Sequence, residues 1–166
     1  MELVFEPLKK AHDRLAFTCG VAPLDRWFQL QASQDERRNV ARVFVASDDE
    51  GIVGFYTLGM FALALADLPA EVARKLPKYP EVPAALIGRL ARVERVRGLG
   101  VGEILVADAV KRVLAAARTV GTFAIVVDAK DERAASFYRT FGFISFPRRP
   151  ARLFLPTATA EAARGV

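Results

Sequence analysis

The chain has 166 residues, of which 52% are hydrophobic and 26% charged, so it is long enough for one folded domain and too apolar for a disordered or fibrous protein. Its formal net charge of +5 favours a polyanionic partner, either a nucleic acid or a phosphorylated cofactor. The longest apolar stretch is too short for a membrane helix, the N-terminus lacks the basic region of a signal peptide, and the single cysteine excludes an internal disulfide, which together predict a cytoplasmic protein without membrane association.

Strand and turn signals dominate the first 65 residues. Alternation over residues 2–6 predicts a short strand, and Pro23 opens a helix whose apolar residues recur at helical spacing. Residues 42–46 and 52–65 are predicted to form two strands joined by a turn over residues 48–51. In this hairpin, Gly54 and Gly59 mark two candidate β-bulges.

The rest of the chain alternates strands and helices. Prolines between residues 68 and 83 predict an irregular surface segment with one helical turn at residues 71–75. Spacing and end signals then predict strands over residues 84–93, 123–127, 143–146 and 152–155, and helices over residues 101–118 and 131–140. Residues 157–166 resemble a frayed tail. This order predicts a single α/β domain over residues 1–156, built on a mixed, mostly antiparallel sheet with helices on both faces.

A glycine-rich turn precedes the helix that begins at residue 101. Its sequence is Arg97-Gly98-Leu99-Gly100-Val101-Gly102, and glycines there permit positive φ and a close approach of the backbone to a ligand. The first amides of the helix have no partner within the helix and, with the helix dipole, favour an anion. The pattern alone fits two interpretations equally well: a pyrophosphate site, or a tight turn that needs glycine.

Two families of phosphate-binding loops do not fit this turn. A P-loop requires Gly-Lys-Ser/Thr at the start of the helix, whereas Glu103 and Ile104 follow Gly102. A dinucleotide-binding turn requires a small residue where Glu103 stands and an acidic residue about twenty positions later, where Arg118 and Thr119 lie. The turn therefore indicates neither ATP nor NAD chemistry.

Two motifs together resemble the GNAT family of acetyltransferases. Arg97-x-x-Gly100-x-Gly102 after a strand is similar to the family's acyl-CoA-binding turn, and Asp131-x-x-Ala134-x-x-Phe137-Tyr138-x-x-x-Gly142-Phe143 is similar to its second signature. The resemblance implies the GNAT fold, acetyl-CoA as acyl donor, no metal, and Tyr138 as the catalytic residue beside the CoA sulfur. The residues that it assigns to the cofactor are Leu90, Ala91, Arg92, Val93, Arg97, Gly98, Leu99, Gly100, Val101, Gly102, Glu103, Asp131 and Phe137.

Further segments resemble one branch of that family, the TacT-type toxins of bacterial toxin–antitoxin systems. They include Phe17-Thr18-Cys19-Gly20, Leu24-Asp25-Arg26-Trp27, Leu86-Ile87-Gly88-Arg89-Leu90-Ala91 and Val127-Asp128-Ala129-Lys130-Asp131. Enzymes of this branch acetylate the α-amine of aminoacyl-tRNA, which blocks translation, and are held by a ribbon-helix-helix antitoxin. The resemblance implies both partners for this chain. Related toxins often form homodimers, so a homodimer is an alternative to a monomer here.

The reaction implied by the resemblance does not require a strong general base. An α-amino group has a pKa of roughly 7.7–8.0, and an ester on the same carbon lowers it, so a useful fraction is unprotonated at neutral pH. The only histidine, His12, lies outside both motifs. Tyr138 would serve as general acid toward a thiolate whose thiol has a pKa of roughly 8.5, and N–H groups between Leu90 and Val93 would polarise the thioester carbonyl. Without the resemblance, Tyr138 would be interpreted as a packed helix aromatic.

Basic residues supply candidates for binding the tRNA phosphates, although each alone is more often a solvated charge. The candidates are Arg37, Arg38, Arg42, Lys78 and Arg89, with a second basic group at Arg148, Arg149 and Arg152. His12 and Cys19 are expected to be structural, because no third group completes a nucleophilic set. Two other functions stay open: acetylation of a small amine or a protein N-terminus, and a non-catalytic nucleic-acid-binding module, which would leave both motifs unexplained.

Overall fold

A computed structural model describes residues 2–164 of the chain. Its seven strands within those residues are β1 Val4–Pro7, β2 Arg42–Asp48, β3 Gly51–Ala64, β4 Glu81–Arg92, β5 Ala124–Asp128, β6 Ile144–Phe146 and β7 Arg149–Pro156. The helices are α1 Ala22–Leu30, α2 Ala32–Arg37, α3 Ala70–Ala73, α4 Val101–Ala116, α5 Glu132–Arg139 and α6 Thr157–Arg164. Short 3-10 turns occupy Leu65–Asp67 and Glu94–Val96.

The strands form one mixed sheet in the order β1-β2-β3-β4-β5-β7-β6. Parallel pairing joins residues 84–87 of β4 to residues 124–127 of β5. The pairs β1–β2, β2–β3, β5–β7 and β6–β7 are antiparallel. The predicted mixed sheet is therefore confirmed, and each predicted strand overlaps a strand of the structure.

The folded chain consists of two compact units. The first contains the residues up to Gly59 and Gly88–Ala109, and the second contains Met60–Ile87 and the residues from Val110 onward. Three elements, β3, β4 and α4, contribute residues to both units. The single domain over residues 1–156 stays a prediction.

In the first unit, helices pack on both faces of β3. Phe55 is fully buried, and its ring stacks on Phe28 of α1 with the centroids 4.2 Å apart. Gly54 faces the opposite side, because successive residues of a strand alternate. A Cβ on Gly54 would lie 2.8 Å from Leu105 Cδ1 of α4, so glycine at this position allows α4 to approach the strand.

A β-bulge interrupts the pairing of β2 with β3 next to Gly54. Ala46 pairs with Gly54 and Ser47 pairs with Ile52, so that Val53 is the extra residue of β3. The bulge predicted at Gly54 is therefore present. The Val53 carbonyl accepts a hydrogen bond from the Val93 amide at 2.9 Å, which fastens the chain just beyond β4.

The second unit has its own apolar core. Its buried members are Leu63, Leu68, Val82, Ala84, Ala124, Val126, Phe146 and Phe154. At the edge of this unit, Arg152 of β7 makes a two-bonded ion pair with Asp128 of β5, at 2.8 and 2.9 Å. The guanidinium also lies over the ring of Phe61, 4.8 Å from its centroid.

Helix α2, the starts of β4 and β7, and helix α6 differ from the sequence-based expectation; β7 begins at Arg149 instead of residue 152. Helix α2 was not expected; it follows α1 after a single residue, Gln31. Strand β4 begins at Glu81 and passes through Pro83, where an irregular path was expected. A proline in a strand loses only its N–H, and the Pro83 carbonyl still accepts from the Phe123 amide at 2.8 Å.

The remaining difference is α6, which occupies residues expected to form a frayed tail. Alanine-rich sequence favours a helix, and the first residue is anchored: the Thr157 hydroxyl donates to the carbonyls of Thr122 and Phe123 at 2.7 and 3.0 Å. Ala160 is buried. Residues 157–164 are therefore helical, and residues 165–166 of the expected tail lie outside the described residues.

Candidate active site

The glycine turn lies between the 3-10 turn Glu94–Val96 and α4. Gly98 and Gly100 have φ angles of +79° and +80°, in the left-handed region that other residues rarely adopt. The Leu99 amide donates to the Val96 carbonyl at 3.1 Å, and the Ile104 amide donates to the Gly100 carbonyl at 3.2 Å. Two glycines of the motif are thus needed for the backbone path, whereas Gly102 already lies in α4.

This turn fits a diphosphate. A Cβ on Gly98 would meet nothing within 4 Å, so the backbone is open to a ligand at that residue. The first amides of α4 have no partner within the helix, and a 16-residue helix adds its dipole to them. Arg97 supplies a mostly exposed guanidinium, 3.6 Å from the Glu94 carboxylate. The turn therefore offers backbone N–H donors and the positive charge of Arg97, which together suit an anion.

Glu103 contributes to the same turn with the opposite charge. Its Oε2 would lie 3.3 Å from a Cβ on Gly100, so its carboxylate is next to the turn. A carboxylate repels a diphosphate, whereas the amide of the same residue is one of the free donors. If Glu103 binds the cofactor, it does so through its backbone.

The segment expected to bind pantetheine and polarise the thioester consists of the last residues of β4 and Val93. The Val93 amide already donates to Val53, so this donor is not available to a thioester carbonyl. Ala91 and Val93 are buried, and Leu90 and Arg92 are half-buried. The predicted main-chain donor must therefore come from residues 90–92.

Tyr138 lies in α5 with its ring packed between aromatic neighbours. It makes edge-to-face contacts with Phe137 and Phe143, at centroid distances of 5.3 and 5.6 Å, and only 8% of the residue is exposed. Within residues 2–164 no side chain or main-chain group hydrogen-bonds its hydroxyl, which still reaches the surface. Burial raises the pKa of Tyr138 to about 12, because a phenolate is poorly solvated there.

The other residues of the second signature have structural contacts. The Asp131 side chain caps α5 by accepting a hydrogen bond from the Ala134 amide at 2.8 Å, as an N-cap aspartate does. Phe137 is half-buried against Tyr138 and Phe141. Cap formation therefore explains Asp131 without any contact to a cofactor.

The five candidates for tRNA phosphates are not equivalent. Arg42 is committed to other groups: it donates to the Glu36 carbonyl, the Glu36 carboxylate and the Asn39 side chain at 3.0, 3.0 and 2.7 Å. Arg37 and Arg38, at the end of α2, and Lys78 in the second unit are exposed. Arg89 is half-buried and lies over the ring of Trp27, with Cζ 4.0 Å from its centroid. Four of the five are therefore in the first unit.

The second basic group is largely engaged in structural contacts. Arg152 is paired with Asp128, and Arg148 donates to the Ala66 carbonyl at 2.7 Å. These bonds weaken the case for phosphate binding by this group.

The residues near the N-terminus that matched the toxin branch build the entry to α1. Asp25 accepts hydrogen bonds from the Thr18 hydroxyl at 3.1 Å and the Cys19 amide at 2.8 Å. Cys19 is buried, and burial raises the pKa of its thiol. His12 accepts from the Lys9 amide at Nδ1 and contacts Glu6 through Nε2 at 2.7 Å. The contacts of Cys19 and His12 fit the structural roles expected for them.

Asp35 and Thr57 are two further polar residues near Arg89 that were not expected from the sequence. Asp35 accepts from the Trp27 indole, and Thr57 is a buried polar residue whose hydroxyl accepts from the Arg89 amide. The position of Asp35 relative to Trp27 could not be expected because helix α2 was not predicted. An isolated threonine in an apolar strand carried no signal of its own.

No cluster of three or more His, Cys, Asp or Glu side chains suited to a metal ion occurs between residues 2 and 164. Nor does any helix in that part of the chain have the length and apolarity needed to cross a bilayer.

Comparison with known proteins places this geometry in a family. The model of the acetyltransferase (GNAT) domain matches residues 39–145, which include the glycine turn and Tyr138. The chain is 33% identical to the probable toxin TacT of Sinorhizobium fredii, with 98% of this chain and 95% of the relative covered. It is 35% identical to the tRNA-acetylating toxin of Mycobacterium tuberculosis, with 95% and 94% covered.

Solved structures agree with the family match. AtaT complexed with acetyl-methionyl-tRNAfMet superposes with a TM-score of 0.90 at 29% identity, covering 98% of this chain and 99% of that one. An AtaT mutant toxin bound to the C-terminus of the antitoxin AtaR and acetyl-CoA gives a TM-score of 0.82 at 26% identity, covering 99% of each chain. The predicted fold is confirmed, and the chain belongs to the GNAT acetyltransferase family, among relatives that are toxins of the TacT and AtaT type.

Proposed function

We propose that this chain transfers the acetyl group of acetyl-CoA to the α-amine of an aminoacyl-tRNA and thereby acts as a translation-blocking toxin. The observation that carries the proposal is Tyr138, a buried phenol in the family's second signature whose hydroxyl has no partner among residues 2–164. The similarity to a tRNA-acetylating toxin over 95% of the chain supports the acceptor. The net charge of +5 suits a polyanionic substrate.

The chain's own groups fit acetyl-CoA, which supplies the acetyl group as a thioester. The first amides of α4, with Arg97, would hold the diphosphate, and the main chain of residues 90–92 would pair with the pantetheine arm. Both sets of groups lie in the first unit. Gly98 and Gly100 are required because the turn needs two residues of positive φ.

Tyr138 would protonate the leaving sulfur. Its pKa is raised to about 12, so the phenol is protonated at neutral pH and would donate its proton from Oη to the departing thiolate as the carbon–sulfur bond breaks. The proton released by the acylated amine returns to Oη directly or through solvent, so the residue is restored after each turnover. The α-amine reaches its neutral form without a side-chain base, because its pKa is near neutrality.

The finer partner assignments extend this proposal. We infer that a ribbon-helix-helix antitoxin holds the enzyme and that the reaction takes place in the cytoplasm, where charged tRNA and reduced thiols such as Cys19 occur. A solved relative bound to the C-terminus of its antitoxin supports an antitoxin partner. The homodimer remains the alternative to the monomer, and sedimentation at micromolar concentration would distinguish them.

One reaction tests the proposed function. The purified chain is incubated with acetyl-CoA and a total pool of charged tRNA, and the aminoacyl groups are analysed by mass spectrometry after nuclease digestion. We expect N-acetyl-aminoacyl-adenosine, with Tyr138→Phe as the catalytically impaired control. Acetylation of polyamines or peptide N-termini with all charged tRNAs unmodified would overturn the tRNA assignment while leaving the family intact.

A further inference from the structure

Arg89 is a half-buried cation that forms no ion pair with any of residues 2–164. Its guanidinium lies over the Trp27 indole, with Cζ 4.0 Å from the ring centroid, which is a favourable cation–π distance. Between residues 2 and 164 no carboxylate lies within 4.0 Å of it. Two other arginines of the chain, Arg95 and Arg152, are paired with aspartates at 2.7 and 2.8 Å.

Trp27 is itself held by Asp35 of α2. The indole Nε1–H donates to Asp35 Oδ2 at 3.0 Å, and Gln31 Nε2 donates to the other oxygen, Oδ1, at 3.3 Å. The indole also stacks on Phe55, with ring centroids 5.9 Å apart and an interplanar angle of 26°. Both carboxylate oxygens are thus used by neutral donors, so Asp35 orients the ring and does not bond the guanidinium.

The backbone of Arg89 is fixed as well. Its amide donates to the hydroxyl of Thr57 at 3.0 Å, and Thr57 is only 2% exposed. Desolvation lowers the pKa of the guanidinium, an effect that the Asp35 charge partly opposes. A desolvated cation without a bonded counter-ion has unfulfilled capacity for an anion.

We propose that Arg89 binds a backbone phosphate near the aminoacylated end of the acceptor RNA, with Trp27 and Asp35 as positioning residues for its guanidinium. This inference rests on the proposed function and names the part of the site that receives the RNA. Arg89 precedes residues 90–92 on the same strand, and a strand rises about 3.3 Å per residue, so the phosphate would lie within about 10 Å of the main chain that holds the thioester. The planar guanidinium of arginine can donate two hydrogen bonds to one phosphate, whereas the ammonium group of lysine acts as a point charge.

Binding is tested with the chain's own fluorophore. Trp27 is the only tryptophan, so its emission reports on the environment of Arg89. Titration with deacylated tRNA is expected to change this emission, and Arg89→Ala, which keeps the fluorophore, is expected to weaken the binding by about tenfold or more. Arg26→Ala is the matched control, since Arg26 is an exposed arginine of the same helix as Trp27. Equal affinities for the two variants would overturn the proposal.

Kinetics separate the RNA phosphate from the phosphates of CoA. Arg89→Ala is expected to raise KM for aminoacyl-tRNA by about tenfold or more, to leave KM for acetyl-CoA within about twofold, and to reduce the slope of log affinity against log salt by about 1. Arg89→Lys should recover the salt slope but not the full affinity. A rise in KM for acetyl-CoA instead would assign Arg89 to the cofactor and overturn the inference.

The positioning role has its own readout. Asp35→Ala is expected to raise KM for aminoacyl-tRNA with kcat unchanged, and Asp35→Asn, which keeps an acceptor for the indole N–H, should restore it. A fall in kcat with unchanged KM would remove Asp35 from this role. Binding of deacylated tRNA requires no acetyl transfer. Unchanged binding in Arg89→Ala would therefore overturn the role of Arg89 even if the chain acetylates aminoacyl-tRNA, and absence of acetylation would overturn the proposed function even if Arg89 binds tRNA.

Discussion

At the scale of single residues, burial sets the protonation state of Tyr138. An aromatic pocket around the ring raises the pKa of the phenol to about 12 and leaves the hydroxyl without a bonded neighbour among the described residues. The same burial would be expected of a merely structural tyrosine. Since the hydroxyl reaches the surface without a protein partner among residues 2–164, it is free to donate to a bound substrate, and only its removal distinguishes the two roles.

Replacing Tyr138 with Phe tests this assignment. The ring contacts with Phe137 and Phe143 are kept, so we expect acetyl-CoA affinity and the midpoint of thermal unfolding to stay close to wild type. Loss of a general acid should lower kcat by about 10²–10⁴-fold. Calorimetry and steady-state kinetics measure the two effects, and an unchanged kcat would exclude Tyr138 from catalysis.

The pH profile of the wild-type enzyme provides a second check on the same residue. Because the folded pKa of Tyr138 is raised, the phenol keeps its proton through pH 10, where an ordinary tyrosine is half ionised. We therefore expect kcat to rise with pH as the acceptor amine deprotonates and not to fall on account of Tyr138 below about pH 11. An alkaline limb near pH 8–9 that disappears in Tyr138→Phe would contradict the raised pKa.

At the scale of elements, the glycine turn is set by backbone conformation. Gly100→Ala places a Cβ at φ +80°, which costs roughly 1–2 kcal/mol, and distorts the start of α4. We expect acetyl-CoA affinity to fall by about tenfold or more, measured by calorimetry. Gly121→Ala is the control, because a Cβ there meets nothing within 4 Å and no positive φ is required. Equal affinities in the two variants would argue against the turn as the diphosphate site.

The cap of α5 gives a prediction that separates structure from cofactor binding. Asp131→Ala removes the bond to the Ala134 amide and should lower the free energy of unfolding by about 1 kcal/mol. Asp131→Ser keeps a capping oxygen and should recover most of this loss. If denaturant unfolding shows the loss while acetyl-CoA affinity is unchanged in both variants, Asp131 acts only as a cap.

The elements also show where the sequence was informative. Alternation and helical spacing predicted the strands and helices α1, α4 and α5, because burial on one face leaves a periodic pattern of apolar residues. Helix α2, with the sequence Ala-Ser-Gln-Asp-Glu-Arg, has no such apolar period, since it is held by Asp35 and by the Arg42–Glu36 contact. Likewise the positive φ of Gly98 and Gly100 could be expected from the motif. The contact of the Arg89 guanidinium with Trp27 could not, because the two residues are 62 positions apart in the sequence.

At the scale of the whole molecule, three elements run through both compact units. Since β3, β4 and α4 are continuous, we propose that residues 1–156 fold as one domain, as the sequence suggested.

An ion pair between distant parts of the sequence also contributes at this scale. Arg95, just before the glycine turn, bonds Asp48 through two nitrogens at 2.9 and 2.7 Å and Glu50 at 2.9 Å.

This ion pair predicts a pH dependence of stability. The bond to Arg95 lowers the pKa of Asp48 from 3.8 to about 2, so its contribution is complete above about pH 4 and is lost as the pH falls toward 2. Asp48→Asn should therefore lower the midpoint of thermal unfolding at pH 7, with the difference from wild type shrinking below pH 4. A difference that persists at pH 2 would mean that the ion pair is not its source.

Cys19 is buried in the loop that precedes α1, and burial raises the pKa of its thiol. An alkylating reagent can therefore modify it only when that loop opens, so the modification rate at neutral pH counts opening events in the unlabelled, wild-type protein. Because the Cys19 amide is tied to Asp25, Asp25→Ala should accelerate the modification. The alkylation rate of Cys19 thus measures how often the loop before α1 opens in the native chain.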